Sequence, residues 1–525
     1  MPKSWKVWLS GVLALLLVVL TGCEAVNGFD VNKALTASTK MQNYEGSFKM
    51  SLKLDVNEKA FDGADEQAEK MLKLFQSVTF NVTSMKALDR QNASLKGTLE
   101  FGKGSIPFEA VTNSEKLLFT AEGMKKPIEV PLFGLSGIPA EQAAAMPFDI
   151  KALQEAALKH TDEYIAAVSG LFVENLPNPN VISVEKVSEQ VHGETVSLHK
   201  LHAEVYGTEF VKLGKEFIVS VLKDEEGIKE LLSVLYDMML PMLNDLAKNE
   251  EIAQSEAGAM LSTVLADKTL AIDLAYTQIK MLTDQLLVDI DAKLAEAEEN
   301  FPLDENTYIK SNMYFDEDMN PRKSNFEFVM KPKKGEAKES DDLRSITLTM
   351  EDEYWNLGKV TAIDTIEGEP YTIDEENATP EHFLENIDKK SLLYDFLKND
   401  LKITKRSLTL MLDEEDTGYT SPFTPYIKGQ GTTMVPTRMI SERLGAKVTW
   451  DGVKQQVTVK DFNGTTIELV VGSKTATVNG NAVELPEAPD NYEGTTFVPV
   501  AFIADVLGAE VNWTPETRTV EITKE

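Results

Sequence analysis

The residues that could do chemistry in this chain are few and scattered. Asp316, Asp318, Asn320 and Glu327 stand at positions 1, 3, 5 and 12 of the spacing with which a loop of oxygen ligands holds calcium. Position 6 of such a loop needs the sharp turn that glycine permits, and Pro321 stands there instead, with its φ fixed near about −65°. The flanks have strand-like patterns, so a hairpin turn is expected. His192, His199 and His202 are close in sequence, yet on a strand His199 and His202 point to opposite faces, which gathers no imidazoles for zinc. Met238, Met239 and Met242 could line an adaptable apolar groove, but their helical spacing is that of core positions. No G-x-S-x-G, H-E-x-x-H, Walker or S-x-x-K arrangement occurs. With five histidines and one cysteine, a paired-carboxylate hydrolase is the catalytic class left open. The expectation is a protein with no catalytic site, no cofactor and no metal.

The elements that must position any site are clearest near the C-terminus, where one pattern is written twice. Thr432–Val459 reads TTMVPTRMISERLGAKVTWDGVKQQVTV and Thr495–Ile522 reads TTFVPVAFIADVLGAEVNWTPETRTVEI, every matched position being offset by 63 residues. Val435-Pro436 and Val498-Pro499 end a short extended run, because proline holds the residue before it in extended space. Ile440 and Leu444, matched by Ile503 and Leu507, follow at helical spacing, and Gly445 and Gly508 stand where a helix ends in left-handed φ. Val448 and Trp450, matched by Val511 and Trp513, alternate as a strand before a turn and a second strand. Neither copy can bury its apolar face alone, so the two are expected to share one core, with Trp450 and Trp513 largely buried in it.

The repeated VP-x3-I-x3-LGA-x-V-x-W core resembles the copper amine oxidase N-terminal-like, or stalk, domain of bacterial envelope proteins, over about residues 404–525. That resemblance implies a non-catalytic accessory module. Asn491-Tyr492-Glu493 looks like the Asn-Tyr-acid core from which amine oxidases build a quinone, but Ala488 stands where the wider motif has Thr. No histidine follows His382, so copper would lack its imidazole ligands.

At the other end, Lys3 and Lys6 precede an apolar stretch from Val7 to Leu20 that is too short to span a bilayer comfortably. It runs into Leu20-Thr21-Gly22-Cys23, which resembles the lipobox of bacterial lipoproteins. The resemblance implies cleavage after residue 22 and a diacylglyceryl group on Cys23, the only cysteine in the chain. Two acyl chains anchor stably where one would not.

Composition describes a globular chain, 42% hydrophobic and 26% charged, with a formal net charge of −33. From Tyr426 onward nine basic residues face thirteen acidic ones, or −4, and the leader carries +2, which leaves −31 on residues 23–425. Such a body repels nucleic acid and anionic headgroups. Residues 23–43 read as a tether and lead-in helix. From Tyr44 to Val56 the alternation is strict, a half-buried antiparallel strand. Further strands are expected at Val78–Ala87, Leu95–Phe101, Ile106–Val111, Leu117–Ala121, Val181–Val191, Glu194–Tyr206, Thr307–Phe315, Asn325–Met330, Ser345–Met350 and Lys359–Ile366. Helices are expected at Asp62–Gln76, Ile150–Phe172, around Ile228–Leu246 with a kink at Pro241, over Ile272–Leu294 and at Glu381–Lys398; Pro127–Pro147 and the polar run Lys331–Asp342 read as loops.

The chain is therefore expected to be α+β: an acidic sheet-and-helix body over residues 44–400 and a small tandem-repeat domain over 404–525. The body resembles the half-barrels of lipid-binding lipoproteins in architecture. The function expected is that of a non-catalytic lipoprotein on the outer face of the membrane in a Gram-positive-type envelope, its C-terminal module binding a wall component or an envelope protein. The alternative is a carrier of lipid or another hydrophobic ligand that uses a cavity in the body.

Overall fold

The computed structural model describes residues 25–57, 66–131, 146–207, 209–300, 305–331, 343–372, 379–412, 424–429, 431–462 and 464–524. The leader with Cys23, the first part of the expected Asp62–Gln76 helix, most of the Pro127–Pro147 loop and the polar run after Lys331 fall outside them. The chain forms two compact units, Met1–Glu375 and Glu376–Glu525.

The first unit is built on one sheet of β1 (Tyr44–Val56), β2 (Ser77–Ala87), β3 (Ala93–Phe101), β4 (Gly104–Thr112), β5 (Lys116–Ala121), β6 (Ile128–Pro131), β7 (Val181–Val191), β8 (Glu194–Tyr206), β9 (Tyr308–Phe315), β10 (Pro321–Met330), β11 (Leu343–Trp355) and β12 (Tyr371–Thr372). The strand order is β12-β6-β5-β4-β3-β2-β1-β11-β10-β9-β8-β7. Two antiparallel meanders, β1–β6 and β7–β11, thus join where β1 pairs with β11, and only β12 on β6 is parallel. The sheet curves into a half-barrel.

Helices precede the first meander, interrupt both and connect them: α1 (Val31–Lys40), α2 (Glu66–Phe75), α3 (Ile150–Lys159), α4 (Thr161–Glu174), α5 (Glu209–Lys223), α6 (Glu225–Lys248), α7 (Glu256–Ala266) and α8 (Lys268–Asn300). Asp30 caps α1 by accepting from the Lys33 amide at 2.9 Å, and Val31, Ala34 and Leu35 bury against Val173, Leu201 and Phe315. Phe210 and Leu213 of α5 pack on Val205, Ile309, Phe328 and Leu348, so the even-numbered face of β1, through Leu52, is the face turned to the helices. In the middle of that face Met50 lies opposite Met350 and is 36% exposed. Lys229 ties α6 to α8 by reaching both Glu225 and Asp273 at 2.8 Å, and those two carboxylates raise its pKa above the ordinary lysine range.

Several elements depart from the sequence pattern. Ile150–Phe172 is two helices that meet at His160. Lys359–Ile366 forms no strand; Asn43 accepts from the Val360 amide, and Ser94 from that of Asp364, so side chains replace a ladder. The expected helix with Pro241 inside it runs from Glu225 to Lys248. Met239 on it is exposed, not core.

The second unit begins before residue 404 with α9 (Pro380–Glu385) and α10 (Leu392–Asp395), where a single helix was expected. The break falls at Asn386–Lys390: Asn386 ends the first helix, Ile387 is fully buried, and Ser391 caps the next. There follow β13 (Arg406–Met411), β14 (Tyr426–Lys428), β15 (Thr432–Pro436), α11 (Thr437–Arg443), β16 (Lys447–Asp451), β17 (Gln456–Lys460), β18 (Thr466–Val470), β19 (Thr475–Val478), β20 (Asn481–Glu484), β21 (Asp490–Tyr492), β22 (Thr495–Pro499), α12 (Val500–Val506), β23 (Ala509–Thr514) and β24 (Thr519–Lys524). Each copy is strand, helix and hairpin, as its pattern predicts. The strand ahead of each copy pairs with the hairpin of the other: β13 with β24, and β18 with β17. One apolar cluster spans both copies, from Val435, Ile440 and Leu444 to Val498, Ile503 and Leu507.

Candidate binding groove in the C-terminal unit

The repeat residues have distinct burials. Val435, Leu444 and Val498 are fully buried, Leu507 is 2% exposed, and Pro436 and Pro499 are buried at the strand-to-helix step. Each proline sits at the N-cap, where its missing amide leaves no donor unsatisfied. Gly445 and Gly508 end α11 and α12 at φ +87° and +73°, with the Gly445 amide on the Glu442 carbonyl and that of Ala446 on Ser441. Lys524 closes the first copy from the chain's end, its ammonium on the Leu444 carbonyl and on Asp461 at 3.2 Å.

Trp450 and Trp513 correct the expectation of burial: they are 42% and 43% exposed. Alternation does turn Trp450 the same way as buried Val448, but Trp450 is one residue from the end of β16, past the limit of the core. β16 and β23 are also the edge strands of their sheets, so nothing packs on their outer sides within the sheet. The pattern is right about the face and wrong about how far the core reaches.

A groove of about 270 Å³ opens beside Trp450. Its walls come from both copies: Arg438, Met439 and Glu442 of α11, Trp450 of β16, and Gly494–Thr495 where β22 begins. Arg438 lies on its wall, with Nη1 donating to Glu442 Oε1 at 3.0 Å and to the Val448 carbonyl at 3.1 Å. Thr437 is held deeper, donating to the Thr496 carbonyl at 2.8 Å. Arg438, Glu442 and Thr495 were not singled out by sequence reasoning. The available signal was the offset of 63, which places Ala501 opposite Arg438 and so marks Arg438 as a difference between copies.

The other candidate residues do not converge. Asp316 accepts the amides of Asp318 and Asn320 at 3.0 and 2.9 Å, folding a turn into which Arg322 also points. Glu327 is on β10 and accepts from the Tyr308 hydroxyl, which pushes the Tyr308 pKa up to about 12. His192 stacks on Trp355 with centroids 3.8 Å apart, His199 lies against Phe29, and His202 bonds Asn312 and Glu204. Asn491 and Tyr492 form β21, and Asn491 accepts from the Gly494 amide across the turn into β22. Among the described residues no group of three His, Cys, Asp or Glu could hold a metal, and no helix is long and apolar enough to cross a membrane.

Residues 414–522 match the family described as Copper amine oxidase N-terminal domain. A primary amine oxidase of Klebsiella aerogenes is 32% identical over 120 residues, 22% of this chain and 15% of that protein. A protease inhibitor of Brevibacillus choshinensis is 35% identical over 94 residues, 18% of this chain and 28% of that one. This chain therefore spans well under a third of either relative. No solved structure matches. The C-terminal unit is thus similar to the N-terminal domain of copper amine oxidases, and the likeness stops short of the body.

Proposed function

We propose that this chain is a non-catalytic lipoprotein, anchored by Cys23 to the outer face of the membrane in a Gram-positive-type envelope, whose C-terminal unit binds a cell-wall component or another envelope protein. The observation that carries the reading is the groove at Trp450: an exposed indole beside an oriented guanidinium and carboxylate, on a rigid two-copy core. Exposed aromatics bordered by a few fixed polar groups are what recognition sites use. Charge points the same way, because residues 23–375 carry −27 and the C-terminal unit, Glu376–Glu525, only −8, which is less per residue. The test is sedimentation of the purified chain with intact wall preparations and with washed envelope extracts. Retention that is lost in a Trp450→Ala/Trp513→Ala double variant supports the reading; absence of retention in both preparations contradicts it.

A second reading, a carrier of lipid or another hydrophobic ligand, draws on the body. Met50 is 36% exposed in the middle of the apolar sheet face, and Met281, Leu282 and Val288 of α8 are 55%, 75% and 77% exposed. That much apolar surface on one unit suits an apolar ligand. Extraction of the purified protein followed by mass spectrometry tests it: stoichiometric lipid supports the carrier, and lipid-free protein opposes it.

A further inference from the structure

We propose that the groove beside Trp450 is a subsite for a single neutral sugar ring of a glycan chain, and that the second copy lacks the matching site. This inference rests on the reading of the C-terminal unit as a binding module and names its ligand class. A pyranose ring has one face of C–H groups, which packs on an indole, and hydroxyls in its plane, which need paired donors and acceptors. Trp450 supplies the flat apolar surface, and its indole N–H has no hydrogen-bond partner among the described residues. Arg438 and Glu442, paired at 3.0 Å, supply a donor and an acceptor beside it, and Thr495 also lines the groove. The volume, about 270 Å³, is at the lower end of ligand pockets and suits one ring more than an extended segment.

Two observations weigh against other occupants. A peptide would be expected to extend the edge strand β16, but the Val448 carbonyl on that edge already accepts from Arg438. An anionic polymer would meet the Glu442 carboxylate in the groove, where the one lining cation, Arg438, is already paired with that carboxylate at 3.0 Å. The second copy serves as an internal control. Trp513 is just as exposed as Trp450, but Ala501 and Val500 stand where the first copy has Arg438 and Thr437, so the platform remains without its donor.

The experiment is calorimetric titration of the full chain with chitotetraose and cellotetraose, followed in parallel by tryptophan fluorescence. The proposal expects saturable binding of at least one, weakened roughly tenfold or more in Trp450→Ala and in Arg438→Ala, and changed by less than about twofold in Trp513→Ala. Trp450→Phe, which keeps an aromatic face, should restore part of the affinity, and far-ultraviolet circular dichroism should be unchanged in every variant. No binding of either oligosaccharide up to about 10 mM overturns the proposal. Equal losses in Trp450→Ala and Trp513→Ala overturn its assignment to the first copy. Wall or envelope retention that survives Trp450→Ala, with no oligosaccharide bound, leaves a binding module whose ligand is not a sugar; absence of retention by the unmutated chain removes the module reading instead.

Discussion

Val435 and Val498 are partners across the antiparallel pair β15·β22, and they are the same position in the two copies. On either side Met434 meets Pro499 and Pro436 meets Phe497, so the register is symmetric about the valine pair. A local two-fold axis therefore passes between the two valines. It explains why the copies share one core, and why the groove on α11 of the first copy is closed by Gly494–Thr495 of the second. With both valines fully buried, this pair is the centre from which the module is built.

Truncation at positions close to that axis should cost far more than truncation of the indoles. Leu444→Ala and Leu507→Ala, each removing a buried side chain, should destabilise the second unit by about 2–5 kcal/mol. Trp450→Ala and Trp513→Ala should cost about 1 kcal/mol or less, since both rings remain over 40% exposed. Urea denaturation of the four variants checks this, and a tryptophan effect as large as the leucine effect would restore the view that the rings are core.

What was legible in advance depended on whether the signal was local. The alternation in β1 and the whole of β7 and β8 could be read because each strand shows one apolar and one polar face. The helix α5 could not, since Ile218, Val219 and Val221 give its second half the look of a strand and Gly214 interrupts its first. Segment Lys359–Ile366 has strand-like residues, but its partners are the side chains of Asn43 and Ser94, which no periodicity reveals. Trp450 was assigned to the correct face and the wrong depth, because the end of a core is a tertiary property. The groove was invisible for the same reason: Thr495 comes to Arg438 only through the two-fold pairing.

Equivalent glycines should respond unequally. Gly445 and Gly508 both have positive φ, so alanine at either is strained by roughly 1–2 kcal/mol. At Gly445, however, an added methyl would also come within 2.6 Å of the Arg406 guanidinium, which Glu381 holds through both carboxylate oxygens at 2.9 Å. Around Gly508 there is open space. Gly445→Ala should therefore lower the melting temperature more than Gly508→Ala, and the gap should narrow when Glu381→Gln frees the arginine. Equal shifts from the two single variants would contradict this.

In the body, Asp352 should give stability an unusual pH dependence. Burial raises its carboxyl pKa above the ordinary value, Ser324 donates to it, and burial likewise raises the neighbouring Tyr354 and Tyr44 hydroxyls. A carboxyl whose folded pKa is raised binds its proton more tightly when folded. Its contribution is present below the ordinary carboxylate range and is lost as pH rises through the folded value. Asp352→Asn, which keeps an acceptor for Ser324, should stabilise the protein by on the order of 1 kcal/mol at pH 7.5 and change little near pH 4. Urea midpoints at the two pH values decide it; a variant less stable at pH 7.5 would mean that the charged form is the stabilising one.

The proposed anchoring rests on one thiol. Cys23→Ser should leave the leader uncleaved or move the protein from the detergent phase to the aqueous phase, because the acyl chains have no other attachment point in a chain with one cysteine. Unchanged partition with the leader cleaved as in the unmutated chain would remove the lipoprotein assignment and leave the module reading untouched.

Hydrogen exchange of the full chain, read by mass spectrometry with and without solubilised wall glycan, tests most directly the claim that the C-terminal unit makes the contact. The account predicts slowed exchange over residues 436–451 and 492–497, which together wall the groove, with residues 44–372 unchanged. Protection confined to the strands and helices of the body, at a glycan concentration that saturates retention of the chain, would contradict it.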